Sequence, residues 1–171
     1  MNNYFVGIDL SLTGTGFVIL NDKEEIIHQK LISTTVKDST EKRLITITDY
    51  LVDEIVKLYE VDDDTLLNDK LFINIEGLSF GSKGQSMLEL AGLHYFLRCR
   101  LYALHHSNLT YETIPPTALK KWICGVGTAK KELMLLKVFK KFGVEFSDNN
   151  ICDAFCLAKL AYFRQQETGV K

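Results

Sequence analysis

The order in which hydrophobic periods follow one another constrains this chain more than any single motif. Three short apolar runs come first, at 4–9, 14–20 and 25–33, joined by turns short enough for hairpins. A helical stripe follows, Leu44, Ile47, Leu51, Ile55 and Leu58, opened by Asp38-Ser39-Thr40-Glu41, which reads as a capping box. A buried-strand pattern at 71–76, a long helix over about 85–105 and a strand at 109–114 come next, stopped by Pro115 and Pro116. Helices near 118–123, 130–142 and 150–166 close the chain. A meander, then strand–helix–strand, then helices describe an α/β domain with a five-stranded mixed sheet flanked by helices. With 171 residues and two prolines, the chain reads as one domain over 1–171.

Composition narrows the class. The chain is 46% hydrophobic and 25% charged, which suits a globular core and excludes a disordered tail or a collagen-like fibre. The four cysteines, Cys99, Cys124, Cys152 and Cys156, form no Cys-x-x-Cys pair and read as buried free thiols. The start at Met1-Asn2-Asn3-Tyr4 lacks the basic region of a secretory signal, and no run reaches the ~18 apolar residues of a membrane span. These features point to the cytoplasm. Net charge is −2, but residues 1–115 hold 10 basic and 17 acidic side chains and residues 116–171 hold 10 and 5. A phosphate-bearing partner is therefore expected on the basic C-terminal third. The acidic stretch 62–64 lacks the alternating ligands of a calcium loop and reads as solvated.

Two carboxylates carry the first chemical signal. Asp9 and Glu76 each end an apolar strand, and adjacent strands lie ~4.8 Å apart. Carboxylates that close repel unless a cation sits between them, and Mg²⁺ favours such oxygen ligands. A third candidate, Asp153, lies near the start of the last helix, three residues after Asn150 and on the same face. Asn150 as N-cap with Asp153 at the third helical position is an equally plain reading of that segment. Asp148, five residues back, falls about 140° from Asp153 around a helix and would need a non-helical approach.

These segments together resemble the RuvC family of Holliday-junction resolvases, within the RNase H-like/retroviral-integrase superfamily, almost end to end. Gly7-Ile8-Asp9 with Thr13-Gly14-Thr15-Gly16 is similar to the family's first strand and turn, and Ile75-Glu76 to its second acidic strand end. Ser86-Met87-Leu88-Glu89-Leu90-Ala91-Gly92 resembles the start of its long helix. The segment from Leu119-Lys120-Lys121 through Gly125-Val126-Gly127-Thr128-Ala129-Lys130-Lys131 resembles its basic Gly-x-Gly region, and Asp153-Ala154-Phe155-Cys156-Leu157-Ala158 its closing helix. Two departures stand out. Asn150 occupies a position where cellular members carry Asp or His, and Phe80 lies near, but offset from, their base-stacking aromatic. Such drift is more like the phage-encoded members, which would place the chain in a host cytoplasm.

The resemblance implies a crossover junction endodeoxyribonuclease acting on four-way junctions, forks and flaps. Asp9, Glu76 and Asp153, helped by Asn150, would hold two Mg²⁺ ions ~3.5–4 Å apart, with Mn²⁺ as a substitute. Cleavage would leave a 5′ phosphate and a 3′ hydroxyl. Lys131 would stabilise charge at the reacting phosphate, while Lys120, Lys121, Lys130 and Phe80 would contact DNA. The 85–105 helix carries more apolar residues than one core-facing stripe needs, with Leu93 and Leu97 on one stripe and Met87, Leu90 and Leu101 nearer another. A C2 homodimer through this helix fits a symmetric substrate.

Two other classes share parts of the pattern. A sugar-kinase or actin-like ATPase also opens with a strand, an Asp and a Gly-Thr turn, but needs two such lobes, and the 125–130 loop lacks a P-loop ending. A non-catalytic RNase H-like module would keep the fold and the basic third yet tolerate loss of Asp153.

Overall fold

The computed structural model describes residues 2–58, 69–78, 84–104 and 108–168. Ten elements follow in the order β1 (Asn3–Asp9), β2 (Gly14–Leu20), β3 (Ile26–Ser33), α1 (Thr40–Lys57), β4 (Lys70–Glu76), α2 (Gln85–Ala103), β5 (Leu109–Ile114), α3 (Pro116–Cys124), α4 (Lys131–Phe142) and α5 (Asn149–Thr168). The strands form one sheet in the order β3-β2-β1-β4-β5. The meander β1–β2–β3 is antiparallel, whereas β1 pairs with β4, and β4 with β5, in parallel. This is the mixed five-stranded sheet expected from the periodicity. The 62–64 stretch, Phe80 and the end of the long helix at His105 lie outside the described residues.

Alternation along β1 assigns the two faces. Val6 and Ile8 join the core under α1 and α2, where Ile47, Leu51 and Ile55 meet Leu93, Leu97 and Leu101. Phe5 points to the opposite core, built with α3, α4 and α5 around Phe155, Leu157 and Val138. The centre of α5 is buried from Ala154 to Ala161 and apolar but for Lys159, whose ammonium meets Glu24 at 2.8 Å, as befits a helix laid across a sheet and covered by others. Leu93, Leu97 and Leu101 are buried in one core and Leu90 packs against it, so the two stripes expected from the sequence are one face, because residues three and four apart share a helix face.

Two glycines let α5 approach. A Cβ on Gly7 would lie 1.8 Å from the Ala154 carbonyl oxygen, and one on Gly16 would lie 2.0 Å from that of Asn150. Only hydrogen at these positions lets the helix backbone rest on β1 and β2. Buried Asn74 on β4 adds a bond from Nδ2 to the Leu157 carbonyl at 3.0 Å, fixing α5 lengthwise. The first two turns of α5 are therefore held at a set height above the strand ends.

The helix starts differ from the expected ones. Ser39, not Asp38, caps α1: its Oγ accepts from the Lys42 amide at 3.3 Å, and Asp38 instead meets the Lys42 ammonium at 2.6 Å. At α5 the cap is Asp148 rather than Asn150, with Oδ1 accepting from the amides of Asn150 at 2.8 Å and Ile151 at 3.0 Å. A charged carboxylate serves two amides better than a neutral side-chain amide does. All four cysteines are free, but Cys99 is exposed on α2 and Cys124 half-buried, so only Cys152 and Cys156 fit the buried-thiol expectation. Among the described residues no helix is long and apolar enough to cross a membrane.

Candidate active site at the strand ends

Parallel pairing of β1 with β4 places Gly7 opposite Asn74 and Ile8 opposite Ile75, so Asp9 and Glu76 come next at one level. Both leave the sheet at its carboxyl edge, where an open α/β sheet presents its ligand sites. Asp9 shares its face with Gly7, beneath α5. Asp9 is 6% exposed, and its carboxyl is held well above the usual carboxylate range. Burial is the largest cause, the Glu76 charge the next, and a hydrogen bond with Glu76 adds to both; Asp153 also contributes, while Lys131 opposes them.

Asp153 arrives from the other side of this gap on α5. Its carboxyl is pushed up to about 6, first by burial and then by the Glu76 charge, with Asp148 adding a smaller push. Lys120 on α3 and Lys131 at the start of α4 pull it back. Three carboxylates from β1, β4 and α5 thus feel one another, and two lysines from separate helices face them. Gly125 makes this convergence possible: its left-handed φ of 82° ends α3 and turns the chain toward α4.

The remaining candidates divide. The Asn150 amide lies against Gly14, where a Cβ would sit 3.2 Å from Nδ2, so it too is at the open edge of the sheet. Lys121 and Lys130 are exposed, one residue beyond Lys120 and one before Lys131. Phe80 lies outside the described residues. Asp148 is the neighbour that sequence reasoning undervalued. It reaches the Asp153 field from a non-helical cap, and its signal was an Asp one residue ahead of a helical run.

The donor set suits a hard divalent cation. The oxygens are carboxylates and an amide, burial first and the Glu76 charge second raise Asp9 and Asp153 above ordinary carboxylates, and a cation would offset both effects. Among the described residues no three His, Cys, Asp or Glu side chains have closed into a ready-made cage. The arrangement is open, as a site shared with a substrate's phosphate needs to be.

Solved structures share the whole architecture. The chain superposes on Thermus thermophilus RuvC with a TM-score of 0.69 at 16% identity, covering 98% of both chains. Against T. thermophilus RuvC in complex with a Holliday junction substrate the TM-score is 0.68 at 15% identity, covering 98% of this chain and 97% of the other. The yeast mitochondrial Holliday junction resolvase Ydc2 gives 0.60 at 9% identity, covering 95% and 80%. At such identities these likenesses establish the fold. No curated protein sequence matches the chain. The family model described as crossover junction endodeoxyribonuclease RuvC matches residues 5–160, through both carboxylate strands and into the middle of α5. The chain therefore belongs to the RuvC family of crossover junction endodeoxyribonucleases and is a nuclease.

Proposed function

We propose that this nuclease is a Mg²⁺-dependent, structure-selective resolvase that cuts four-way junctions and related forks and flaps by paired symmetric nicks. The observation that carries the reading is the convergence of Asp9, Glu76 and Asp153 at one sheet edge with Lys131 beside them. RuvC-like resolvases are metal-dependent. In this chain Asp9, Glu76 and Asp153 would hold two Mg²⁺ ions, with the Asn150 amide as a neutral helper and Mn²⁺ able to substitute. When bound, the ions supply Lewis-acid polarisation of the scissile phosphate and a hydrolytic water at neutral pH.

The chain's own groups do the rest. Lys131, whose charge acts on both Asp9 and Asp153, would stabilise the extra negative charge of the pentavalent phosphorus. Lys120 grips a phosphate beside it, and Lys121 and Lys130 extend the basic path. The water attacks in line, the bond to the 3′ oxygen breaks, and a 5′ phosphate and a 3′ hydroxyl result.

Two incisions on one junction call for two sites, and α2 supplies the surface for a homodimer. Leu88, Tyr95 and Tyr102, seven residues apart, are 68%, 64% and 72% exposed, while Leu93, Leu97 and Leu101 fill the core. A repeated apolar stripe turned outward on a 19-residue helix suits a symmetric helix pair. We read the departures at Asn150 and after Glu76 as drift like that of phage-encoded members, which would put its work in a host cytoplasm. The test is junction cleavage by Asp9→Asn, Glu76→Gln and Asp153→Asn. Each variant should lose nicking by at least 10³-fold, a factor comparable to removing a metal ligand or oxyanion donor, while still binding the junction. Full nicking by Asp153→Asn would reject the assignment.

A further inference from the structure

The turn that leads into α5 holds a fourth carboxylate that the three-acid site does not use. Phe146 anchors this turn: its ring packs on Phe155 with centroids 5.0 Å apart. Two residues on, Asp148 is half-buried and caps the helix. Its Oδ1 takes both amides, those of Asn150 at 2.8 Å and Ile151 at 3.0 Å, and its own carbonyl accepts from the Cys152 amide at 3.1 Å. Among the described residues Oδ2 has no hydrogen-bond partner, and no lysine, arginine or histidine pairs with the carboxylate.

Location ties this charge to the strand ends. Asp9 pairs with Gly16 across β1 and β2. The first turn of α5 rests on that same glycine, where a Cβ would meet the Asn150 carbonyl oxygen at 2.0 Å. Asp148 therefore caps the very turn that carries Asn150 and leads to Asp153, and its charge is one of those felt at the Asp153 carboxyl.

The charge balance gives it a task. Asp9, Glu76 and Asp153, once ionised, are faced by the ammonium groups of Lys120 and Lys131, which leaves a net charge of only −1. Asn150 adds an oxygen but no charge. Affinity for a hard divalent cation follows the charge count of the groups around it. Asp148 doubles the net charge without leaving the cap, because one of its oxygens serves both amides. Resting on the nuclease reading above, we propose that Asp148 supplies the negative charge that Asn150 lacks and so sets the affinity of the site for its divalent cation. It is a positioning residue, acting on the cation and not on the reacting phosphate. A residue that only capped α5 would serve as well uncharged, since Asn, Asp and Ser are nearly equal N-caps.

That equality is the basis of the test. Mn²⁺ uptake by the DNA-free protein, read from the electron paramagnetic signal of the free ion, follows the charge apart from catalysis. Asp148→Asn keeps the cap and should bind Mn²⁺ about tenfold more weakly, the lower end of what outer partners of a metal site contribute. Its melting temperature in EDTA should not fall. Glu145→Gln, which removes an exposed carboxylate three residues earlier, should leave uptake unchanged. Asn150→Asp should restore affinity to the Asp148→Asn protein and gain less in the wild type. On junctions, Asp148→Asn should need about tenfold more Mg²⁺ for half-maximal cleavage, yet approach the wild-type rate at saturation. Undiminished Mn²⁺ affinity in Asp148→Asn, a loss matched by Glu145→Gln, or a loss that comes with a lower melting temperature and resists Asn150→Asp would each overturn this role. Junction cleavage by the wild type would then leave the nuclease standing. A wild type that takes up no Mn²⁺ and cuts no junction would overturn both.

Discussion

At the scale of single residues, the carboxylates at the strand ends carry a stability signature as well as a chemical one. Asp153 is pushed from an ordinary 3.8 to about 6, by burial first and by Glu76 second. Asp9 is raised as well, again by burial and then by Glu76. A raised carboxyl binds its proton more tightly folded than unfolded, so stability from these groups is present at low pH and lost as pH rises through the folded value. Metal-free protein should therefore melt higher near pH 5 than near pH 7.5. Asp153→Asn should flatten that slope and stabilise the metal-free fold at neutral pH by about 1–3 kcal/mol. Thermal melts in EDTA at both pH values check this; a wild-type melting temperature that falls no more steeply with pH than the variant's would contradict it. The lysines separate by role. Lys120→Ala should weaken binding to all junctions alike and lower the salt slope by about one, whereas Lys131→Ala should chiefly slow cleavage, by roughly 10- to 100-fold. Binding isotherms at several salt concentrations, set beside single-turnover rates, distinguish the two.

At the scale of elements, Gly7 and Gly16 decide where Asp153 stands. Gly7→Ala would place a methyl 1.8 Å from the Ala154 carbonyl oxygen, so α5 must lift. We expect a loss of about 1–3 kcal/mol in stability and a fall in cleavage rate larger than that in junction affinity, read by denaturant melts and kinetics. Sequence patterning reached all ten elements because period and turn chemistry are local: β1 and β4 showed as apolar runs ending at carboxylates, and both crossover helices had room. What it missed is not local. Asp148 and Asn150 are both good caps, and the choice between them depends on how α5 is pressed onto the sheet. On α2 both faces are apolar, so the grouping of Leu101 with Leu93 and Leu97 emerged only once β1 and α1 had taken their places. The Asp9–Glu76 pair was legible because parallel pairing puts strand ends level. The Arg43–Glu89 pair was not, because nothing in the sequence ties a residue of α1 to one of α2.

At the scale of the whole molecule, charge and apolar surface divide the work. The lysines of α3 and α4 bring the basic C-terminal third to the acidic strand ends, so a net charge of −2 conceals a polarised molecule. The outward stripe of α2 predicts that Tyr95→Asp yields a folded monomer, whereas Leu97→Asp, fully buried, unfolds the domain. Sedimentation with circular dichroism reads both, and a wild type monomeric at micromolar concentration would contradict the dimer. The central claim is that the site at the ends of β1 and β4 cuts branched DNA with the help of a bound cation. End-labelled four-way junctions incubated with the wild-type protein, in Mg²⁺ and in EDTA, test it most directly. The account predicts paired nicks at symmetric positions near the branch point in Mg²⁺, bearing 5′ phosphates, and none in EDTA. Cleavage undiminished in EDTA, or nicks scattered along the arms without regard to the branch, would contradict it.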